Sequence, residues 1–210
     1  MTQDPYLGRQ ILGQYHIEKK LGEGGMGMVY QADQPAMSRK AAIKILRQEI
    51  ANEEQIQRFQ REAQALANLD HPHIVKVYNF GNLEDDALYM AMEFVQGQEM
   101  DKVLEAAGRM EWTRAVTVTL QAADALVMAH NNGIVHRDLK PENILLMEYR
   151  GRTDYVKVLD FGIAKVLDNS QTLETSQTMA GVIHGTPMYM SPEQARGDAI
   201  DHRSDIYSLG

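Results

Sequence analysis

The sequence contains no cysteine. That excludes a disulfide framework and every thiolate metal site, and it agrees with a reducing compartment. No apolar run approaches the roughly 18 residues that a membrane span needs. Residues 1–13 lack a charged start followed by an apolar stretch, so no secretory signal is read there. Positive charge is scarce as well: 21 Lys and Arg stand against 29 Asp and Glu, a net charge of −8 with a pI near 5.4. A nucleic-acid binder normally turns a basic face to the phosphate backbone, so no nucleic-acid partner is expected. Internal repeats and low-complexity tracts are missing too.

What remains is ordinary soluble material: 210 residues, 44% hydrophobic and 24% charged, enough for one large domain or two small lobes. Tyr15–Leu21 and Val29–Ala32 read as strands around a glycine-rich turn, and Ala41–Leu46 as a third. A helix is expected after Asn52, a capping residue followed by acidic Glu53 and Glu54, with Ile56, Phe59, Ala63 and Leu66 along its apolar face. His71 and Pro72 close it. Two more strands, Ile74–Phe80 and Ala87–Val95, flank an acidic turn at residues 84–86, and Gly97 opens the crossing to a helical region. There Val116, Leu120, Ala123, Val127 and His130 recur at helical spacing, stopped by Asn131, Asn132 and Gly133. Ile144–Met147 and Tyr155–Leu159 are short β-type runs, and residues 168–177 are polar without pattern. The order is a β-rich lobe with one helix, then a mainly helical lobe: an α+β fold.

Chemistry enters with Gly22, Gly24, Gly27 and Val29, spaced G-x-G-x-x-G-x-V between two strands. A dinucleotide fold would open a helix at the last glycine, whereas a hairpin in this place suits backbone amides that cover phosphates; a plain flexible turn is the alternative. Lys44 and Ala42 alternate onto one face of their strand. Lys44 is either a solvated edge charge or a cation reaching toward phosphate. Glu62 shares a helix face with Phe59 and Leu66, which carries a carboxylate inward, unless it forms a surface pair with Arg58 at helical spacing. The run His136-Arg137-Asp138-Leu139-Lys140-Pro141-Glu142-Asn143, followed by Asp160-Phe161-Gly162, is far more specific. Phosphoryl transfer needs oxygen ligands for metal ions and a carboxylate to orient the attacking hydroxyl, and Asp138, Asn143 and Asp160 supply them.

On these motifs the chain resembles the protein kinase superfamily, closest to the bacterial eukaryotic-like serine/threonine kinases, from about Tyr15 to the last residue. The stretch Leu21, Gly22, Glu23, Gly24, Gly25, Met26, Gly27, Met28, Val29 is similar to their ATP-binding glycine-rich loop. Gly185-Thr186-Pro187-Met188-Tyr189-Met190-Ser191-Pro192-Glu193-Gln194 is similar to the end of their activation segment, with serine in place of the alanine of A-P-E. The resemblance implies a bilobal fold: an extension at 1–14, an N-lobe at 15–96 and a C-lobe at 97–210. It also implies that the C-lobe is incomplete at Gly210 and lacks the arginine that pairs with the position of Glu193. Residues 1–210 alone are therefore expected to fold poorly in that lobe.

The same resemblance assigns roles. Lys44 holds phosphates and pairs with Glu62, while Asn143 and Asp160 bind magnesium, with manganese as an alternative. Asp138 handles the acceptor proton, Lys140 stands near the γ phosphate and favours Ser/Thr over Tyr acceptors, and Thr186 supports both. Glu93 and Val95 offer hinge backbone groups to adenine behind the gatekeeper Met92. Val29, Ala42 and Leu145 sandwich the ring, and Leu66, Tyr78, His136 and Phe161 stack as a spine. Asp205 supports the catalytic loop. Arg137 meets a phosphate on the activation segment, where Ser170, Thr172, Thr175, Ser176 and Thr178 are acceptors and Thr178 and Ser176 are preferred. Protein substrates, a homodimer for autophosphorylation, cytoplasmic location of the domain and membrane attachment through residues after 210 follow as expectations. A silent kinase-like scaffold or a small-molecule phosphotransferase are the competing readings. The retained Asp138, Asp160 and Lys44 weigh against the first, and the segment 185–193 against the second.

Overall fold

The computed structural model describes residues 4–24, 27–46, 53–161 and 187–210. Asn52, Gly25, Met26, Gly162, Thr186 and the candidate phosphoacceptors Ser176 and Thr178 lie outside them. The chain divides into two compact units, Met1–Ala67 with Lys76–Phe94, and Asn68–Val75 with Val95–Gly210. The sequence had placed 15–96 together, with 1–14 as a separate extension. In the structure residues 4–14 belong to the first unit, and 68–75 and 95–96 belong to the second.

The first unit is a six-stranded antiparallel sheet in the order β1-β2-β3-β4-β6-β5. Its strands are β1 (Gln10–Ile11), β2 (Tyr15–Gly24), β3 (Gly27–Gln34), β4 (Arg39–Leu46), β5 (Val77–Asn82) and β6 (Leu88–Glu93). Helix α1 (Glu53–Ala67) follows β4 and lies against β5, burying Phe59, Ala63 and Leu66 as its spacing predicts. Because side chains alternate along a strand and antiparallel partners share a face, the register sorts the sheet into two faces. Tyr30↔Ile43↔Ala91 and Ala32↔Ala41 fall on one, packed under Tyr6, Ile11, Tyr15 and Ile17. Val29↔Lys44↔Met90 and Ala42↔Met92 fall on the other.

Two expectations are corrected here. The expected strand Ile74–Phe80 begins only at Val77, because Ile74 instead bridges Val158 in the second unit, where Val75 and Val158 also donate backbone bonds at 3.1 and 2.8 Å. Tyr78 packs against the Ile43 face beneath the Arg39 guanidinium, which lies 3.4 Å above its ring, whereas buried Val77 pairs with Met92 on the Lys44 face. Val77, rather than Tyr78, thus shares the Lys44 face. A ladder irregularity between Val77 and Asn79 causes the slip, since one residue of offset exchanges faces.

The second unit is built on α3 (Trp112–Asn131), capped by the Glu111 carboxylate, which accepts the Thr113 and Arg114 amides at 2.9 and 3.2 Å. Strands β7 (Gln98–Glu99), β8 (Ile144–Tyr149) and β9 (Arg152–Val158) form its sheet, with α2 (Met100–Ala107), α4 (Pro192–Arg196) and α5 (His202–Leu209) completing it. Neither β1, β7 nor α2 was expected. The helix α3 was, yet Val116, Leu120 and Val127 are exposed, at 49, 65 and 57%, while Val118, Ala122, Ala125, Leu126 and Ala129 are buried. A helix that is apolar on two faces offers two choices, and periodicity selects neither. Side chains fix the one used: Arg114 grips Asp154 through two bonds of 2.9 and 2.7 Å, and Gln121 takes Asp154 O and Val156 N at 2.9 and 3.2 Å. These contacts hold β9, whose end delivers Asp160.

Candidate active site

The residues with chemistry divide between the units. In the first, Lys44 is half-buried on an interior strand, so the solvated-edge reading does not hold for it. Glu62 is half-buried beside Ala63, on the inward side of α1, and both it and Lys44 are engaged in interactions. The glycine motif forms a β2–β3 hairpin, with Gly22 opposite Val29, Glu23 opposite Met28 and Gly24 opposite Gly27.

The three glycines are there for different reasons. At Gly27, with φ +155°, an added Cβ would stand 2.1 Å from the Ile45 carbonyl oxygen, so close approach of β4 demands glycine. At Gly22 and Gly24 an added Cβ meets nothing within 4 Å. Nothing in the described chain requires glycine at these two, and their open backbone fits a phosphate group seated against it. Leu21 at the hairpin is exposed, and Val29 beside it is half-buried. Ala42 and Met92 are buried together on the Lys44 face, and Glu93 ends β6 with its amide spent on Lys76 O at 2.8 Å.

In the second unit Val95 is half-buried outside any strand, and Leu145 is half-buried on β8. The loop 136–143 is held from beneath by Asp205, which is 1% exposed. One carboxylate oxygen accepts the His136 amide at 2.7 Å and His130 Nε2 at 2.7 Å, and the other accepts the Arg137 amide at 2.8 Å. These bonds offset strain. Arg137 sits at φ 64° and Asp160 at φ 49°, left-handed values that non-glycine residues reach at a cost of order 1 kcal/mol. Gln194 Nε2 then donates to Arg137 O at 2.7 Å, from a helix whose Ser191 and Gln194 form a reciprocal N-terminal cap. His130 and Gln194 went unassigned in the sequence reading. His130 appeared there only as one of the apolar-spaced positions of α3, and Gln194 only as the last letter of a motif.

His136 is fully buried. Its Nε2 faces Leu159 O at 2.8 Å and its Nδ1 faces the Asp138 amide at 3.3 Å, which together require the neutral ring protonated on Nε2. Burial lowers its pKa below the usual histidine value, against the nearby Asp205 charge. Phe161 packs against it with ring centroids 4.7 Å apart and the planes tilted by 45°. Asn143 bridges the motifs, because its carbonyl accepts the Leu159 amide at 2.9 Å.

Asp138 is the candidate reactive group. Lys140 Nζ lies 3.3 Å from its Oδ2, and Asn143 Nδ2 donates to its backbone carbonyl at 2.7 Å and to Oδ2 at 3.3 Å. With the amide nitrogen of Asn143 turned to Asp138, its Oδ1 is the atom left for a cation. Asp160 stands two residues beyond the end of β9 and is exposed. A carboxylate and an amide oxygen are a donor set that fits a hard divalent cation, which takes its other ligands from phosphates and water. Glu193 accepts the Ser204 hydroxyl, and that bond lowers its pKa.

A catalytic loop and a glycine hairpin of this kind mark a class of protein, and sequence comparison agrees. The protein kinase domain pattern matches residues 15–210, and the chain belongs to that family. It is 46% identical over 208 residues to the serine/threonine-protein kinase pkn3 of Myxococcus xanthus, covering 99% of this chain and 38% of that protein. It is 43% identical to the serine/threonine-protein kinase PrkC of Bacillus subtilis, over 97% of this chain and 30% of that one. The chain thus spans about a third of the length of these relatives. The PknI kinase domain of Mycobacterium tuberculosis superimposes with a TM-score of 0.75 at 29% identity, over 96% of this chain and 73% of that one, which gives the bilobal kinase fold. Among the described residues no helix is long and apolar enough to cross a membrane.

Proposed function

We propose that the full protein transfers the γ-phosphate of ATP to serine and threonine hydroxyls of proteins. The observation that carries this is the Asp138 carboxylate, set between Lys140 and Asn143 in a loop pinned by Asp205. Asp138 orients the acceptor hydroxyl and takes up its proton, and Lys140 is placed to neutralise charge on the phosphoryl oxygens. Asn143 and Asp160 hold Mg2+, or Mn2+ in its stead, which supplies charge neutralisation along the phosphates when bound. Lys44, kept in place by Glu62, serves the α and β phosphates, and the backbone at Gly22 and Gly24 covers them. Glu93, Val95, Ala42, Val29 and Leu145 form the adenine contacts. The test is Asp138→Asn: phosphate transfer to a generic protein substrate falls by about 100-fold or more while ATP binding is kept. Unchanged turnover, with contaminating kinase excluded, overturns the assignment.

The reading extends to control. Autophosphorylation between two copies falls on residues 167–180, first at Thr178 or Ser176, and the new phosphate meets Arg137, whose guanidinium suits bidentate contact. Mass spectrometry of active protein against Asp138→Asn locates it, and phosphate confined to other regions rejects this mechanism. The need for ATP places the domain on the cytoplasmic side.

A further inference from the structure

The residues that precede the kinase family match, 4–14, are stitched to the sheet along their length. Gly8 N donates to Ile17 O at 3.0 Å, Ile17 N donates to Arg9 O at 2.9 Å, and β1 pairs with the start of β2. Tyr6 and Ile11 are buried in the Ile43-face core. At the head of this segment Asp4 gathers four donors. Its carboxylate accepts the amides of Tyr6 and Leu7 at 3.0 and 3.3 Å and the Tyr30 hydroxyl at 3.0 and 3.1 Å, and Lys20 Nζ lies 3.6 Å away. Burial raises the pKa of Asp4, but these bonds outweigh it and the net shift is downward, so the group is charged at neutral pH.

The two side chains that it holds from the sheet are not scattered. Lys20 and Tyr30 are register partners, one on each strand of the glycine hairpin, and theirs is the ladder pair next to Gly22↔Val29. Between Lys20 and Gly22 the ladder is irregular, so backbone pairing is interrupted where the glycine stretch begins. Lys20 also reaches Glu23 within the glycine stretch, at 2.6 Å. A second anchor lies two residues further on: Tyr6 donates to Asp85 Oδ2 at 2.8 Å and packs edge-on against Tyr30, with ring centres 5.9 Å apart.

We infer that residues 4–11 are a clamp on the base of the glycine-rich hairpin, with Asp4 as a positioning residue for nucleotide binding. Tying both strands to one carboxylate limits the orientations of the hairpin, so less ordering is left for the nucleotide to impose. This inference rests on the kinase reading only for its ligand, and its structural half stands apart from activity.

The test compares Asp4→Ala and Asp4→Glu with Tyr6→Phe, which loosens the same segment at the Asp85 anchor without touching Lys20. Hydrogen exchange of the full chain reads amide protection over residues 19–24 and 28–31, and steady-state kinetics read ATP. Asp4→Ala is expected to speed exchange in the hairpin and to raise the KM for ATP by about threefold to tenfold, with kcat within about twofold of wild type. Asp4→Glu is expected to recover part of both, and Tyr6→Phe to lower Tm while leaving KM unchanged. Unaltered hairpin exchange in Asp4→Ala overturns the clamp, and so does a KM that Tyr6→Phe shifts as far as Asp4→Ala. If wild type neither binds nor turns over ATP, the kinase reading fails and hairpin exchange alone decides the clamp.

Discussion

Replacing Asp205 by asparagine is expected to be nearly as damaging as replacing it by alanine, and the structure says why. Both carboxylate oxygens accept backbone amides, one from His136 at 2.7 Å and the other from Arg137 at 2.8 Å. An asparagine amide, whichever way it is turned, sets an N–H against an N–H, and the site is too buried for water to intervene. Alanine leaves both amides and His130 Nε2 without an acceptor. Removing one partner from a buried charged network costs about 3–5 kcal/mol, against a total stability of roughly 5–15 kcal/mol for a domain. The left-handed backbone at Arg137 also loses its restraint, so Asp138 is freed along with it. Chemical unfolding should therefore show a loss of at least about 2 kcal/mol for Asp205→Asn. Phosphate transfer should show a fall in kcat at nearly constant KM for ATP, because the loss lies in positioning Asp138. An Asp205→Asn protein with wild-type unfolding midpoint and kcat would refute this account of how the loop is held.

Other expectations follow from the same geometry. Gly27→Ala, which puts a Cβ 2.1 Å from Ile45 O at positive φ, should destabilise by about 3 kcal/mol or more in urea unfolding, whereas Gly22→Ala and Gly24→Ala should stay within about 1 kcal/mol and raise the KM for ATP instead. Lys44→Met and Lys44→Arg should both lose most phosphate transfer, since a planar guanidinium does not replace a compact ammonium; near wild-type transfer by both would contradict the role. His136 has its pKa lowered in the folded state, so the unfolded chain binds the extra proton first as pH falls. Its contribution to stability is complete above about pH 6.5 and declines below it by at most about 1.4 kcal/mol per pH unit. Unfolding measured at pH 7.5 and 5.5 should show that slope, and His136→Gln should flatten it.

The loop 136–143 stood out in the sequence because its polar letters recur at a fixed spacing, and the structure gathers Asp138, Lys140 and Asn143 within hydrogen-bonding reach. The longer strands and both long helices were legible because their apolar periods are strong, whereas the two-residue strands β1 and β7 were not. What failed was facing. A ladder irregularity after Val77 let Tyr78 stand on the wrong side of the sheet in the sequence reading, and alternation alone cannot reveal an irregularity. Likewise α3 carries two apolar stripes, and Arg114 and Gln121, which grip β9, decide which of them is buried. Asp4 was illegible for another reason: it follows no motif, and its partners Lys20 and Tyr30 are distant in sequence and unremarkable in type.

The hydrogen bonds also separate two kinds of residue that the motif runs together. In His136-Arg137-Asp138-Leu139-Lys140-Pro141-Glu142-Asn143, Leu139 is buried and His136 spends both ring nitrogens on Leu159 O and the Asp138 amide. Arg137 gives its amide to Asp205 and its carbonyl to Gln194. Asn143 uses its carbonyl on Leu159 and its amide nitrogen on Asp138. Set apart from these, the groups of the run to which the proposed reaction gives work are the Asp138 carboxylate, the Lys140 ammonium and Asn143 Oδ1, with the Arg137 guanidinium proposed for a phosphate on the activation segment. The remaining letters are fixed by backbone accounting among four chain segments: this loop, the end of β9, α4 and α5. A substitution at His136 or Gln194 therefore acts on the loop through the position of Asp138, and its signature is lost stability together with lost turnover. A substitution at Asp138 costs turnover alone.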